Sequence, residues 1–106
     1  MEKLVKITLS VRPKENKITT SEYIITKKTE KRYYTKYIDR QGEEHSKIVN
    51  IENLNQIKLN NLIEVITCSI IVPEEDVELH TNLLKQYAKK YVQSRADFYN
   101  QTLSNF

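Results

Sequence analysis

The chain has one cysteine, one glycine, two prolines and no tryptophan among its 106 residues. A single cysteine, Cys68, permits no intrachain disulfide. That excludes a disulfide-stapled secreted scaffold and suits a reducing cytoplasm. A single glycine, Gly42, excludes the glycine-rich loops that bring backbone close to phosphates in Walker A and Rossmann sites. Long hydrophobic runs are also missing. The most apolar stretch, Leu62 to Val72, is interrupted by Glu64 and is about half the length a membrane helix needs. No apolar segment follows Met1 to Leu4, so no secretory leader is expected, and Glu2 excludes N-myristoylation. The expected setting is cytoplasmic, with no membrane partner.

What is present is balanced. Hydrophobic residues make 39% and charged residues 29%, with 17 basic against 14 acidic side chains and a net charge of +3. This is the composition of one soluble domain spanning 1–106, with a modest core. Charge is distributed unevenly. Residues 1–60 carry 13 bases and 8 acids, residues 61–106 carry 4 and 6. Ile, Lys, Asn and Tyr together supply 41 residues, and Lys outnumbers Arg 13 to 4. Their codons are rich in A and T. In style the chain is similar to accessory proteins of low-GC bacteria, their phages and mobile elements, although no motif carries that likeness.

Periodicity divides the chain into a β-rich part, 1–72, and a helical part, 73–106. Lys3 to Arg12 alternates, with Val5, Ile7, Leu9 and Val11 on one side and Lys6, Thr8, Ser10 and Arg12 on the other, as a half-buried strand does. A polar turn at 13–17 precedes a β-branched strand, Ile18 to Thr26. Lys27 to Lys31 reads either as a polar loop or as the tip of a continuous ribbon. Arg32 to Asp39, with three tyrosines, is a third strand. The turn at 40–44 contains Gly42, and His45 to Ile51 pairs back as a fourth strand. Glu52 to Asn61, with four asparagines, is expected to be a single helical turn or an irregular connection. Leu62 to Val72 carries aliphatics on both faces and is expected to be the central, most buried strand.

Pro73, followed by Glu74, Glu75 and Asp76, is a helix start, because proline suits the first turn and acids favour the positive dipole end. Neither Gly nor Pro interrupts the chain from there to about Leu103. A helix of that length, near ~45 Å at ~1.5 Å per residue, overhangs a strand of ~20–30 Å. Val77, Leu84, Tyr87, Ala88 and Tyr91 form a stripe expected to dock on the sheet. Val92, Ala96, Tyr99, Leu103 and Phe106 form a second stripe at spacings of 4, 3, 4 and 3, the seam of a helix pair. These five are the expected oligomer interface. A helix that bends near Arg95 or Asp97 would instead fold both stripes onto one core. The predicted fold class is α+β, a mainly antiparallel sheet of four to five strands followed by one long C-terminal helix packed across it.

Catalytic chemistry finds no anchor in the sequence. His45, His80 and Cys68 lack paired metal-ligand spacing, and no metal or cofactor is expected. The acids at 74–78 are accounted for by the helix start. No nucleophile elbow is present, and a mid-strand Cys68 among aliphatics stays protonated. Glu64, in the apolar strand, needs solvent, a lysine or an interface.

The functional signal is basic and aromatic. Residues 27–40 read KKTEKRYYTKYIDR, six positive against two negative charges with three tyrosines interleaved. With Tyr33 and Tyr37 directed inward, Arg32, Tyr34 and Lys36 form an outward face that offers charge to phosphates and a ring to a base. Lys27, Lys28 and Lys31 extend it, and Arg40 follows in the turn. A protective edge is the other reading, since lysine blocks edge-to-edge pairing. Lys85 and Lys89 share a helix face and complete the expected anion-binding set. The expectation is a non-enzymatic, homo-oligomeric protein that sequesters a small anionic ligand such as a nucleotide, of the anti-defence kind. The alternatives are an inhibitor or adaptor that binds a host protein through the tyrosine-rich ribbon, and a weak nucleic-acid binder.

Overall fold

A computed structural model describes residues 2–61 and 65–106. Six strands form one sheet: β1 (Lys3–Val11), β2 (Asn16–Lys28), β3 (Arg32–Ile38), β4 (Glu44–Asn50), β5 (Lys58–Asn61) and β6 (Ile66–Pro73). Their spatial order is β4-β3-β2-β1-β6-β5, and every neighbouring pair is antiparallel. A 3-10 turn at Glu74–Asp76 leads into the long helix α1 (Val77–Ser104). The class is α+β, as expected.

Alternation in β1 sets the two faces of the sheet. Val5, Ile7 and Leu9 are buried on one face against Cys68, Ile70 and Val72 of β6, and Leu84 and Ala88 of α1 close this core. Leu4 points to the other face, where it meets Tyr23 of β2 and Val49 of β4, with Tyr33, Tyr37, Leu54 and Ile71 around them. That second core joins strands from opposite sides of the order, so the sheet curls and its second face is concave. The chain from β4 to β5 crosses this concave face. It opens with a 3-10 turn, Ile51–Asn53, seats Leu54 in the second core, and donates the Asn55 N–H to the Ile71 carbonyl at 2.9 Å. Asn55 has φ of 62°, a left-handed conformation that asparagine tolerates better than most residues.

Several expectations need revision. The sheet has six strands, because Lys58–Asn61 forms β5, an edge strand paired with β6, where an irregular connection was expected. A single turn, the other reading of Glu52 to Asn61, is present at Ile51–Asn53, as a 3-10 turn that starts one residue earlier. The strand expected over Leu62 to Val72 is β6, Ile66–Pro73. It is interior, but β1 has the greater burial, with four buried residues against three. Glu64 lies outside the described residues. The helix docks mainly on β1 and β6 and leaves the outer face of β2, β3 and β4 uncovered. Tyr87, expected to dock, is exposed, whereas Leu84 and Ala88 are buried and Val77 and Tyr91 half-buried.

α1 is continuous, with no break near Arg95 or Asp97. Its 28 residues span about 42 Å. Everything after Tyr91 is exposed, and the molecule extends 57 Å along its longest axis. Among the described residues, no helix is long and apolar enough to cross a membrane.

Candidate anion-binding surfaces

The ribbon is formed by the ends of β2 and β3. Ile24 pairs with Lys36 and Ile25 with Thr35; the register then shifts, and Lys27 pairs with Tyr34 and Lys28 with Tyr33. The tip is closed locally, as Thr29 accepts the Arg32 N–H on its hydroxyl at 3.1 Å and donates its own N–H to the Arg32 carbonyl at 2.9 Å. Lys27 to Lys31 is therefore a ribbon tip rather than a loop. Tyr33 and Tyr37 share a face, as alternation predicted, and that face turns inward to the second core, where Tyr23 meets Tyr37 edge to face at 5.2 Å. Thr35, between them, is buried and donates its hydroxyl to the Lys47 carbonyl at 2.9 Å.

The outward face carries Arg32, Tyr34 and Lys36. Arg32 is exposed and has no carboxylate partner among the described residues. Tyr34 is half-buried, with the Lys27 ammonium 5.6 Å from its ring centre. Lys36 reaches Glu44 of β4 at 3.9 Å, an exposed pair that holds little energy. Lys28 is the most committed of the group. It pairs with Glu2, lies 5.7 Å from the Tyr33 ring centre, and its hydrogen bond to Glu2 holds its pKa above the ordinary value. Glu74 and Glu75 border the same hollow, so part of the acidic helix start faces this lysine. Lys31 and Arg40 are exposed at the two hairpin ends.

Lys85 and Lys89 lie elsewhere. They border a groove of about 690 Å³ between α1 and the β1–β2 hairpin, whose apolar floor includes Leu9, Val11, Ile18, Ala88 and Val92. β1 begins beside the ribbon and ends at this groove. Within one chain, then, the helix lysines and the ribbon stand at opposite ends of β1.

A third basic group was missed in the sequence. Lys6 of β1, Lys47 of β4 and Lys58 of β5 line one concave-face cavity with Asn53, Gln56 and Ser69. Lys47 lies 5.1 Å from the Tyr23 ring centre. Burial pushes its pKa down, and the charges of Lys6 and Lys58 push it further the same way. Alternation placed Lys6 opposite the apolar stripe of β1, but no spacing signal connects residues 6, 47 and 58.

Two further titratable clusters have structural explanations. Asp39 accepts N–H bonds from Gln41 and Glu43 at 2.9 Å and sits 2.6 Å from His45 Nε2. These bonds tie the β3–β4 turn, where Gly42 adopts φ of 85°. The ligand atoms of Asp39, Glu43 and His45 lie within 4.8 Å of one another, and the turn's own hydrogen bonds explain that closeness. Cys68 is buried, and burial raises its thiol pKa, which keeps it protonated.

The second helix stripe is solvent-facing. Val92, Ala96, Tyr99, Leu103 and Phe106 are all exposed, and the Arg95 guanidinium lies 5.6 Å from the Tyr99 ring centre. Compared with known proteins, the chain matches no protein-family model, no curated protein and no solved structure.

Proposed function

We propose that this chain is a non-catalytic cytoplasmic protein that sequesters a small anionic ligand such as a nucleotide, an accessory of the anti-defence kind carried by phages and mobile elements. The observation that carries this reading is the outward face of β3. Arg32 stands there without a carboxylate partner among the described residues, next to a half-exposed Tyr34 and Lys36. Such a face offers charge for phosphate and a ring for stacking. Self-association belongs to the same reading. In one chain Lys85 and Lys89 stand apart from the ribbon, and a second copy docked through Val92, Ala96, Tyr99, Leu103 and Phe106 is the means of bringing them to a shared ligand.

A second reading draws on the same surface. Ile38 and Ile48 are 71% and 54% exposed, and Ile48 pairs with Tyr34 on the face that α1 leaves open. Tyrosine and arginine beside exposed aliphatics suit contact with a host protein.

A thermal-shift panel of nucleotides and other small anions at fixed ionic strength tests the first reading. One ligand class is expected to raise the melting temperature, to act still at moderate salt, and to lose its effect in an Arg32→Ala/Lys36→Ala double variant. Unchanged ligand affinity in the double variant removes the ribbon as the site. No shift with any anion, together with stable co-elution of a host protein, transfers the function to the second reading. Binding to many nucleic-acid sequences that collapses with salt would identify a nucleic-acid binder.

A further inference from the structure

Lys6, Lys47 and Lys58 come from three strands that are not neighbours in the sheet, yet they line one cavity of about 60 Å³. The curl of the sheet brings β4 over β1 and β5, and the connector after β4 closes the space with Asn53 and Gln56. Among the described residues no carboxylate lines this cavity, and none of the three lysines forms an ion pair. Ammonium groups gathered without an acid repel one another, and partial burial of Lys6 and Lys47 weakens the screening by water.

Every polar side chain around the space is able to donate a hydrogen bond: three ammonium groups, two amides and the Ser69 hydroxyl. None is acceptor-only. The donors are also held in place. Leu54 seats in the second core and the Asn55 N–H is bonded to Ile71, which fixes the backbone between Asn53 and Gln56. Gln56 Nε2 donates to the Glu52 carbonyl at 2.6 Å, which fixes the amide and leaves its second N–H available. The volume is about twice the ~30 Å³ share of one liquid water. That is on the scale of one tetrahedral oxyanion.

We propose that this concave cavity binds a phosphate-type oxyanion, either free or as the terminal phosphoryl group of a larger ligand, with Lys6, Lys47 and Lys58 supplying the charge and Asn53, Gln56 and Ser69 the neutral donors. The site lies on the opposite face of the sheet from Arg32, Tyr34 and Lys36, so it does not depend on the ribbon. An anion there replaces mutual repulsion with charge-assisted hydrogen bonds, about twice as strong as neutral ones.

The test is calorimetric titration of the full chain with inorganic phosphate at fixed ionic strength, with chloride as control and backbone amide spectra recorded alongside. Saturable one-to-one binding is expected, with the amide signals of Asn53, Gln56 and Ser69 moving together. Lys47→Met keeps the aliphatic stem against Tyr23 and relieves the repulsion, so it should melt no lower than the parent while its phosphate Kd rises about tenfold or more. Lys58→Gln changes an exposed side chain and should weaken binding in the same direction. The Arg32→Ala/Lys36→Ala variant should retain the phosphate Kd within about twofold, consistent with independent sites.

A nucleoside 5′-triphosphate is titrated separately. Displacement of phosphate by the nucleotide identifies a terminal phosphoryl group as the ligand; phosphate binding without displacement identifies the free oxyanion. The proposal is overturned by absence of saturable phosphate binding. It is equally overturned if Lys47→Met and Lys58→Gln bind phosphate as the parent does, including the case where only the ribbon variant loses it, which would place the anion on β3.

Discussion

At the scale of single residues, Asp39 shows how a turn residue couples to pH. Its carboxylate receives His45 first, then the Glu43 and Gln41 amides, and these bonds hold its pKa below the ordinary 3.8. A carboxyl depressed in the folded state contributes stability that is fully present above its unfolded pKa and is lost as pH falls through the folded one. The group is half-buried and its partners all lie within the turn and the start of β4, so the loss is local to the turn. Following the Gln41 and Glu43 amide signals from neutral to acid pH should therefore give a shared midpoint below 3.8, and a midpoint at or above that value would show that the carboxylate does not hold the turn. The sequence marked this turn by Gly42 but not by Asp39, because the interaction joins residue 39 to residue 45 only after the strands pair. Tyr33 and Tyr37 were half legible: a period of two puts them on one face, and the second core makes that face the inward one.

At the scale of elements, alternating burial was readable and weak edge pairing was not. Val5, Ile7 and Leu9 declare β1 on their own. β5 has one apolar residue, Leu59, between Lys58 and two asparagines, a composition depleted in strands. Its ladder to β6 forms it, a tertiary cause that no local pattern contains. β6 carried aliphatics on both faces because both faces are covered: Cys68, Ile70 and Val72 meet the helix-side core, while Ile71 meets Leu54 and the second core. The helix docks by few side chains. Leu84 is 1% exposed and Ala88 2%, and no later helix residue is buried. Leu84→Ala should cost about 2–5 kcal/mol, since deleting a buried leucine side chain leaves a cavity. In a domain of this size that lowers the melting temperature by roughly 10 °C or more. Leu103→Ala, at an exposed position of the same helix, should change the monomer's own stability by less than about 0.5 kcal/mol. Equal losses for the two variants in parallel melts would mean that the distal turns pack on the sheet.

At the scale of the whole molecule, the elongated shape comes from a helix that extends past the sheet supporting it. The excess of bases over acids in residues 1–60 was visible in composition, and the ribbon was visible as a run. The lysine cavity was not, because it needs the curl that carries β4 across to β5. The helix overhang was legible from arithmetic alone, as 28 helical residues outreach strands of eight or nine. What arithmetic could not supply was whether the helix bends back, and it does not. Val92, Tyr99, Leu103 and Phe106 consequently present 39%, 54%, 69% and 101% of their surface to water. Through Leu103 the stripe keeps the spacing of a helix-pair seam and rides on a helix already anchored at Leu84 and Ala88, while Phe106 lies just past the helix end at Ser104. That anchoring offsets the cost of nucleation that makes short isolated helices unstable. In the proposed self-association, a second copy of the same stripe supplies the complement in spacing and chemistry, and an isologous pair closes without leaving a further surface to propagate. Native mass spectrometry should therefore give an integer multiple of the chain above one, and Leu103→Asp, or Tyr99→Glu, should reduce it to a single chain by placing a charge in the seam. Because neither residue supports the sheet, the resulting monomer should keep its circular dichroism and its Cys68 protection from thiol reagents. A monomeric parent protein, or an oligomer whose mass is unchanged by Leu103→Asp, would show that the distal helix is not where copies of this chain meet.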